Sequence, residues 1–324
     1  MRPAGRTARS RNEKNRPPAG ISDSPGAARS YAVDGHRITA PPLDPGLYVV
    51  ATPIGNLGDT TLRALATLAA ADLVACEDTR VTLVLLRHFA IASKLVAYHD
   101  HNAARQRPKI IAALGRGEAV ALVSDAGTPL VSDPGYRLVV EARAAGHAVV
   151  PVPGASAVLA ALVASGLPSD SFMFAGFLPP KPAARAKRLA AVATVPATLV
   201  FFESAQRLAA SLSDMAEVLG GARPAAVARE LTKTFEEVRR GTLAELAATL
   251  AAEPPPRGEV VVVIGPPAPK PVAAEDADRL ISSLLQLKSV SAAAAEAAAL
   301  TGLPRRDLYR RALILKGGAG AGDA

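Results

Sequence analysis

Across residues 47–264, short β-rich runs alternate with helix-like stretches, a pattern that restricts the chain to sheets whose faces are covered by helices. The spacing predicts strands at 47–51, 73–76, 119–123 and 148–152, with helices at 62–70, 82–88 and 136–145 between them. Pro151-Val152-Pro153-Gly154 interrupts the series, and an Ala-rich helix over 156–165 follows. Strands are then expected at 172–175, 197–202, 225–228 and 259–264. Val260–Val263 is a continuous β-branched run, which suits a central strand buried on both faces. The reading is an α/β fold of two domains, 45–153 and 154–266, with a ligand in the crevice at the carboxyl ends of the strands.

The flanks have a different character. Residues 1–44 mix Pro, Gly and Ser with scattered arginines and read as a disordered basic extension. Of the net charge of +8, residues 1–40 carry +5 (eight basic, three acidic) and residues 301–324 carry +3 (five basic, two acidic), so the rest is neutral. Beyond Pro266-Pro267-Ala268-Pro269-Lys270-Pro271, residues 267–324 read as a stiff linker and a small helix-turn-helix tail. Its helices are expected at 291–300 and 305–315, joined at Gly302, with Pro304 suited to a first helical turn. Arg305, Arg306, Arg310 and Arg311 are interleaved there with Leu308, Ala312 and Leu315, so one face can pack while the other meets RNA phosphates. The alternative is a solvated basic helix that only completes a bundle.

Several classes drop out. A single cysteine, Cys76, supports neither an intrachain disulfide framework nor a cysteine-based zinc site, and a reducing cytoplasm fits. With no signal-peptide pattern and no apolar run long enough to span a bilayer, a soluble protein without a membrane partner is expected. Trp is absent and aromatics are few, which disfavours a stacking platform for single strands. His99 and His101 alternate around Asp100, but two histidines lacking another ligand point to RNA contact or a hydrogen-bonded loop, so no metal is expected.

Small-residue loops follow the strands. Thr52-Pro53-Ile54-Gly55-Asn56-Leu57-Gly58-Asp59 is neither a Walker loop nor a dinucleotide fingerprint, yet it permits close backbone approach. Ser124-Asp125-Ala126-Gly127-Thr128-Pro129, with Ser132-Asp133-Pro134-Gly135 close behind, offers hydrogen bonds to a flat heterocycle. Pro153-Gly154-Ala155-Ser156-Ala157 opens a helix whose free N–H groups can hold a carboxylate. Together they suggest one small-molecule pocket built by both domains.

These loops, with Cys76-Glu77-Asp78-Thr79-Arg80, His99-Asp100-His101-Asn102, Gly166-Leu167-Pro168-Ser169 and Ala228-Arg229-Glu230-Leu231-Thr232-Lys233, closely resemble the ribosomal RNA small subunit methyltransferase I family of the tetrapyrrole methylase superfamily. The resemblance runs over residues 47–264 in order and spacing, and the basic tail is similar to that family's appended helical domain. It implies a two-domain fold with the cofactor in the cleft between domains, usually as a homodimer. It also implies transfer of the methyl group of S-adenosylmethionine to the ribose 2′-hydroxyl of a decoding-region cytidine in 16S rRNA, with that RNA or the small ribosomal subunit as partner. Carried onto this sequence, the cofactor contacts fall at Pro53, Ile54, Gly55, Asp125, Ala126, Gly127, Thr128, Pro129, Ser156, Ala157, Phe201, Phe202 and Ala228. The first loop departs from the Gly-x-Gly-Pro-Gly-Asp form of tetrapyrrole enzymes, which argues for the RNA-modifying branch. A small-molecule methylase and a ligand-sensing regulator are the alternatives.

A sulfonium already activates its methyl group, so the protein mainly aligns donor and acceptor, and a base or a cation assists the weakly acidic ribose hydroxyl. The candidates are Glu77, Asp78 and Arg80 after the second strand, and Glu230 and Lys233 after the strand at 225–228. Asp78 serves equally well as a helix cap, and Glu230–Lys233 as a plain salt bridge. Lys181, Arg185, Lys187 and Arg188 form a further basic stretch that either grips RNA phosphates or is a solvated loop.

Overall fold

The computed structural model describes residues 29–268 and 274–318, which form two compact units divided after Pro267. In the first unit a hairpin, β1 (Ser30–Val33) and β2 (His36–Thr39), precedes β3 (Gly46–Val50), α1 (Leu62–Ala70), β4 (Leu73–Cys76), α2 (Thr79–His88), β5 (Leu95–Ala97), α3 (Ala103–Gly115), β6 (Ala119–Val123), α4 (Tyr136–Ala144) and β7 (Val149–Val152). Strands β3 to β7 make an all-parallel sheet in the order β5-β4-β6-β3-β7. All five residues of β6 are buried, as a central strand with helices on both faces requires.

A second lobe of the same unit follows: α5 (Ala157–Ser165), β8 (Phe172–Phe177), α6 (Pro182–Ala190), β9 (Thr198–Ser204), α7 (Leu208–Leu219), β10 (Pro224–Arg229), β11 (Glu237–Thr242), α8 (Leu243–Ala252) and β12 (Glu259–Ile264). Its sheet runs β11-β10-β12-β9-β8, parallel only between β8 and β9. The β-branched run lies in the central β12, where Val260, Val262 and Ile264 join one apolar cluster and Val261 and Val263 the opposite one. Alternate side chains point to opposite faces, so a strand apolar at every position anchors helices on both sides.

Two expectations need correction. Order begins by Arg29 rather than near residue 47, because Tyr31 is buried in the α1 cluster, Ala32 donates a 2.7 Å hydrogen bond to the Phe89 carbonyl, and Arg29 pairs with Asp72 at 2.6 Å. Residues 1–28 of the expected extension lie outside the described residues, as do residues 269–273 of the expected linker. Among the described residues the tail has three helices rather than two: α9 (Ala274–Leu285), α10 (Val290–Thr301) and α11 (Arg305–Gly318). Ala277 and Ile281 of α9 meet Ala294 and Ala297 of α10 and Leu308 and Ala312 of α11, and small side chains at the contact let the helices approach closely. Ser289 caps α10 at its start, and Gly302, at φ +68°, ends it in the left-handed conformation.

Candidate functional site

Adjacent strands bring distant loops together. Because β3 neighbours β6, the loops that leave them meet, and Thr52 and Gly127 exchange backbone hydrogen bonds of 2.9 and 3.1 Å. Gly127 sits at φ +76°, a conformation that favours glycine. The Thr52 hydroxyl donates to the Ser124 carbonyl at 3.2 Å, and the Thr128 hydroxyl donates to the Ala155 carbonyl at 3.4 Å. That last bond ties the first lobe to the loop that opens α5.

The loops enclose a cavity of about 820 Å³. Of the residues expected to hold a cofactor, Ile54, Asp125, Ala126, Gly127, Thr128, Ser156, Ala157, Phe202 and Ala228 line it, together with Glu77. Pro53 and Gly55 line instead an adjoining cavity of about 360 Å³, which shares Ile54, Asp125, Ala126 and Glu259 with the larger one. Pro129 is buried and lines neither. Phe201 is a correction. Strand alternation turns it into the α7 side of the core, where it is 0 % exposed, while Phe202 turns toward the cavity and meets Phe177 edge to face at 5.4 Å.

The cavity is acidic. Glu77 and Asp133 both line it, and both hold their protons more tightly than ordinary carboxylates. Burial is the first cause for each; the charge of Asp125 adds to both, and that of Asp133 adds to Glu77. Asp133 was not singled out from the sequence, although its loop was, because only the fold reveals which carboxylates face one another. The segments 203–206 and 256–258 also line the cavity and carried no sequence signal of their own, and the predicted strand at 259–264 adds Glu259, Val260 and Val261.

Because folded Glu77 binds its proton more tightly than the unfolded chain does, this group favours folding below the ordinary glutamate range. The advantage is lost as pH rises through its own raised value. Glu77→Gln is therefore expected to melt higher than the parent at neutral pH, with the difference closing in acid; equal melting curves at neutral pH would contradict the burial argument.

Asp78 resolves as a cap. Its side chain accepts from the Arg80 N–H at 2.8 Å at the start of α2 and pairs with the Arg80 guanidinium at 2.6 Å, so hydrogen bonds to Arg80 hold its carboxyl down to about 2. Its own N–H donates to Asp125 at 2.9 Å and fixes that carboxylate at the cavity wall. Arg80 points out to solvent against Asp78 and lines neither cavity.

Glu230 and Lys233 form the second charged cluster. The Lys233 ammonium lies 2.8 Å from both Glu230 and Glu259, and Glu230 also accepts from the Glu259 N–H at 3.1 Å. Burial alone would lower the lysine, but the two carboxylates outweigh it and keep Lys233 above its ordinary value. Hydrogen bonding to Lys233 holds Glu230 low, and the pair forms the salt bridge that was the alternative to a base. The backbone is bent to do this, with Glu230 at φ 51° and Thr232 at φ 67°. Lys233 lies across Gly55, whose φ is +137° and where an added Cβ would fall 2.5 Å from the lysine stem.

Residues 46–247 match the profile of the tetrapyrrole (corrin/porphyrin) methylases, and residues 271–316 that of the RsmI C-terminal HTH domain. The ribosomal RNA small subunit methyltransferase I of Mesorhizobium japonicum is 61 % identical over 287 residues, covering 89 % of this chain and 98 % of that protein. The chain belongs to the ribosomal RNA small subunit methyltransferase I family. Its member from Pseudomonas aeruginosa is 50 % identical over 276 residues, covering 84 % of this chain and 98 % of that one. Among solved structures the methyltransferase CobJ shares the fold, with a TM-score of 0.52 at 21 % identity over 68 % of this chain and 94 % of that one.

In this family member the expected basic residues divide. Arg185 is a correction: it is 4 % exposed and paired with Asp214 at 2.5 Å, which ties α6 to α7 and leaves no guanidinium for RNA. Lys181 and Lys187 are exposed, and Arg188 reaches the Ala175 carbonyl at 3.4 Å. Within the tail unit Arg306 and Arg310 are exposed, and Arg305 is exposed beside the Ser291 hydroxyl at 3.2 Å. Arg311 is corrected too, since its guanidinium grips Asp278 with two 2.6 Å bonds and fastens α11 to α9. His99 contacts Asn102 at 3.1 Å through Nε2, inside a loop that Asn102 organises by accepting from the His99 N–H at 3.0 Å. Among the described residues, no group of three or more His, Cys, Asp or Glu side chains is placed to hold a metal ion, and no helix is long and apolar enough to cross a membrane.

Proposed function

We propose that this family member transfers the methyl group of S-adenosylmethionine to the ribose 2′-hydroxyl of a decoding-region cytidine in 16S rRNA. The observation that carries the reading is the acid-lined cavity where loops of both lobes meet, in a chain whose relatives at 50 and 61 % identity are named small-subunit rRNA methyltransferases. S-adenosylmethionine brings two cationic groups and a flat purine, and when bound it supplies an electrophilic methyl. Glu77, Asp125 and Asp133 offset the cations, Phe202 and Ala228 flank the ring system, and the first-turn N–H groups of α5 at Ser156 and Ala157 face the carboxylate.

Glu77, half-buried and with its proton affinity raised by burial, takes the proton from the ribose hydroxyl, and Lys233 offsets the charge that develops on that oxygen. The exposed arginines of α11 meet phosphates of the small subunit. A homodimer is part of the same reading. It is supported by α5, an apolar helix whose Leu159 and Val163 stay exposed. The work takes place in the cytoplasm.

Radiolabelled methyl from S-adenosylmethionine is expected in the rRNA of hypomethylated small subunits, resistant to alkali at one ribose. Label in a porphyrinoid alone, or no transfer, would reject the proposal. Arg306→Ala and Arg310→Ala are expected to weaken subunit binding and to reduce its salt dependence by about one charge each, with unchanged cofactor affinity. Unaltered salt dependence would remove α11 from the interface.

A further inference from the structure

We infer that the smaller cavity is the pocket for the acceptor nucleoside, with the target base against α2 and its ribose facing the wall shared with the larger cavity. The inference rests on the methyl-transfer reading and says where its second substrate sits.

The geometry leaves few choices. In-line transfer needs the reacting atoms about 3–3.5 Å apart, so the acceptor must occupy a space that opens onto the donor's. The smaller cavity does so, because Ile54, Asp125, Ala126 and Glu259 line both. Its volume of about 360 Å³ sits at the small end of ligand pockets and is enough for one nucleoside.

Its lining divides by chemistry. Val81 and Val84 of α2 line the apolar wall with Leu57, and the two valines stay 43 and 63 % exposed. Apolar side chains left open inside a concavity suit the face of a base. Asp125, Lys233 and Glu259 form the charged side, with Thr52, Thr82 and Ser124 beside them, and the lysine is fixed by Glu230 and Glu259 instead of swinging free. A fixed ammonium beside the shared wall suits an oxygen of a ribose or its phosphate. Pro53 and Gly55, matched to cofactor contacts by the family pattern, lie on this acceptor side.

The test uses the full-length enzyme with hypomethylated small subunits. Val84→Glu places a like charge against the RNA and Val84→Trp fills the pocket; both are surface changes, and thermal melting checks that the fold is kept. Each is expected to cut kcat/KM for the subunits by about a hundredfold while the calorimetric Kd for S-adenosylmethionine stays within about threefold. Unchanged kcat/KM in both variants, or a cofactor Kd that worsens in step with activity, would overturn the assignment. If the parent enzyme itself methylates no rRNA, the functional reading fails and takes this pocket with it. Loss of the pocket alone shows as an active parent with active variants.

Discussion

Replacing Gly55 by alanine is expected to lower kcat for small-subunit methylation by about a hundredfold, the order of loss that follows when a reacting group is misplaced by an ångström. Two effects act together. An alanine at φ +137° is strained, which costs about 1–3 kcal/mol, and its Cβ would fall 2.5 Å from both Cγ and Cε of Lys233. The lysine stem has to lift, and the ammonium then leaves the Glu230 and Glu259 carboxylates it now bridges at 2.8 Å. Cofactor affinity, measured by calorimetry, should change little, because Gly55 does not line the larger cavity. Lys233→Met should show a similar loss, and the double variant should be no worse than either single one, as expected of residues acting as a unit. Additive losses would mean that Gly55 acts through something other than the lysine.

The second large effect separates two neighbours in one strand. Phe201→Ala opens a hole in the core beneath α7 and is expected to cost about 3–5 kcal/mol of stability, read as a large drop in melting temperature with binding retained in the folded fraction. Phe202→Ala should do the reverse, with modest destabilisation and cofactor affinity weakened by about tenfold or more, since its ring lines the cavity. Equal effects of the two changes on binding would mean that β9 does not present its faces as the alternation requires.

That contrast also marks where reading the sequence stops. Strands β6 and β12 were legible to the residue because continuous β-branched and apolar runs leave little choice of structure. Strand β11, Glu-Val-Arg-Arg-Gly-Thr, was not, because its charges look like a solvent loop until Arg239 is seen clamped between Glu237 and Glu253 at 2.7 Å. The three-residue β5 is too short for periodicity to register, and Pro108 and a polar run disguise α3. The hairpin at 30–39 was hidden by its basic, Gly-containing surroundings, since only tertiary packing buries Tyr31.

The loops of the site were visible as small-residue turns after strands, but their division between two cavities was not. Lys233 crosses to Gly55 from the other lobe and lines only the smaller of them. Likewise, composition could place arginines on α6 and α11, yet it could not show that Arg185 and Arg311 are committed to Asp214 and Asp278.

The reciprocal bonds between Thr52 and Gly127 carry one more lesson, about which parts of the chain are free to vary. They sit where neighbouring strands end, so the floor of the site is fixed by sheet order and not by the long excursion through α1, α2 and α3 that separates the two residues along the chain. Growth or shrinkage at the far ends of those helices would leave the floor in place, whereas a single residue inserted between Val123 and Gly127 would break it. Length differences among relatives should therefore gather on the side of this lobe opposite the ligand.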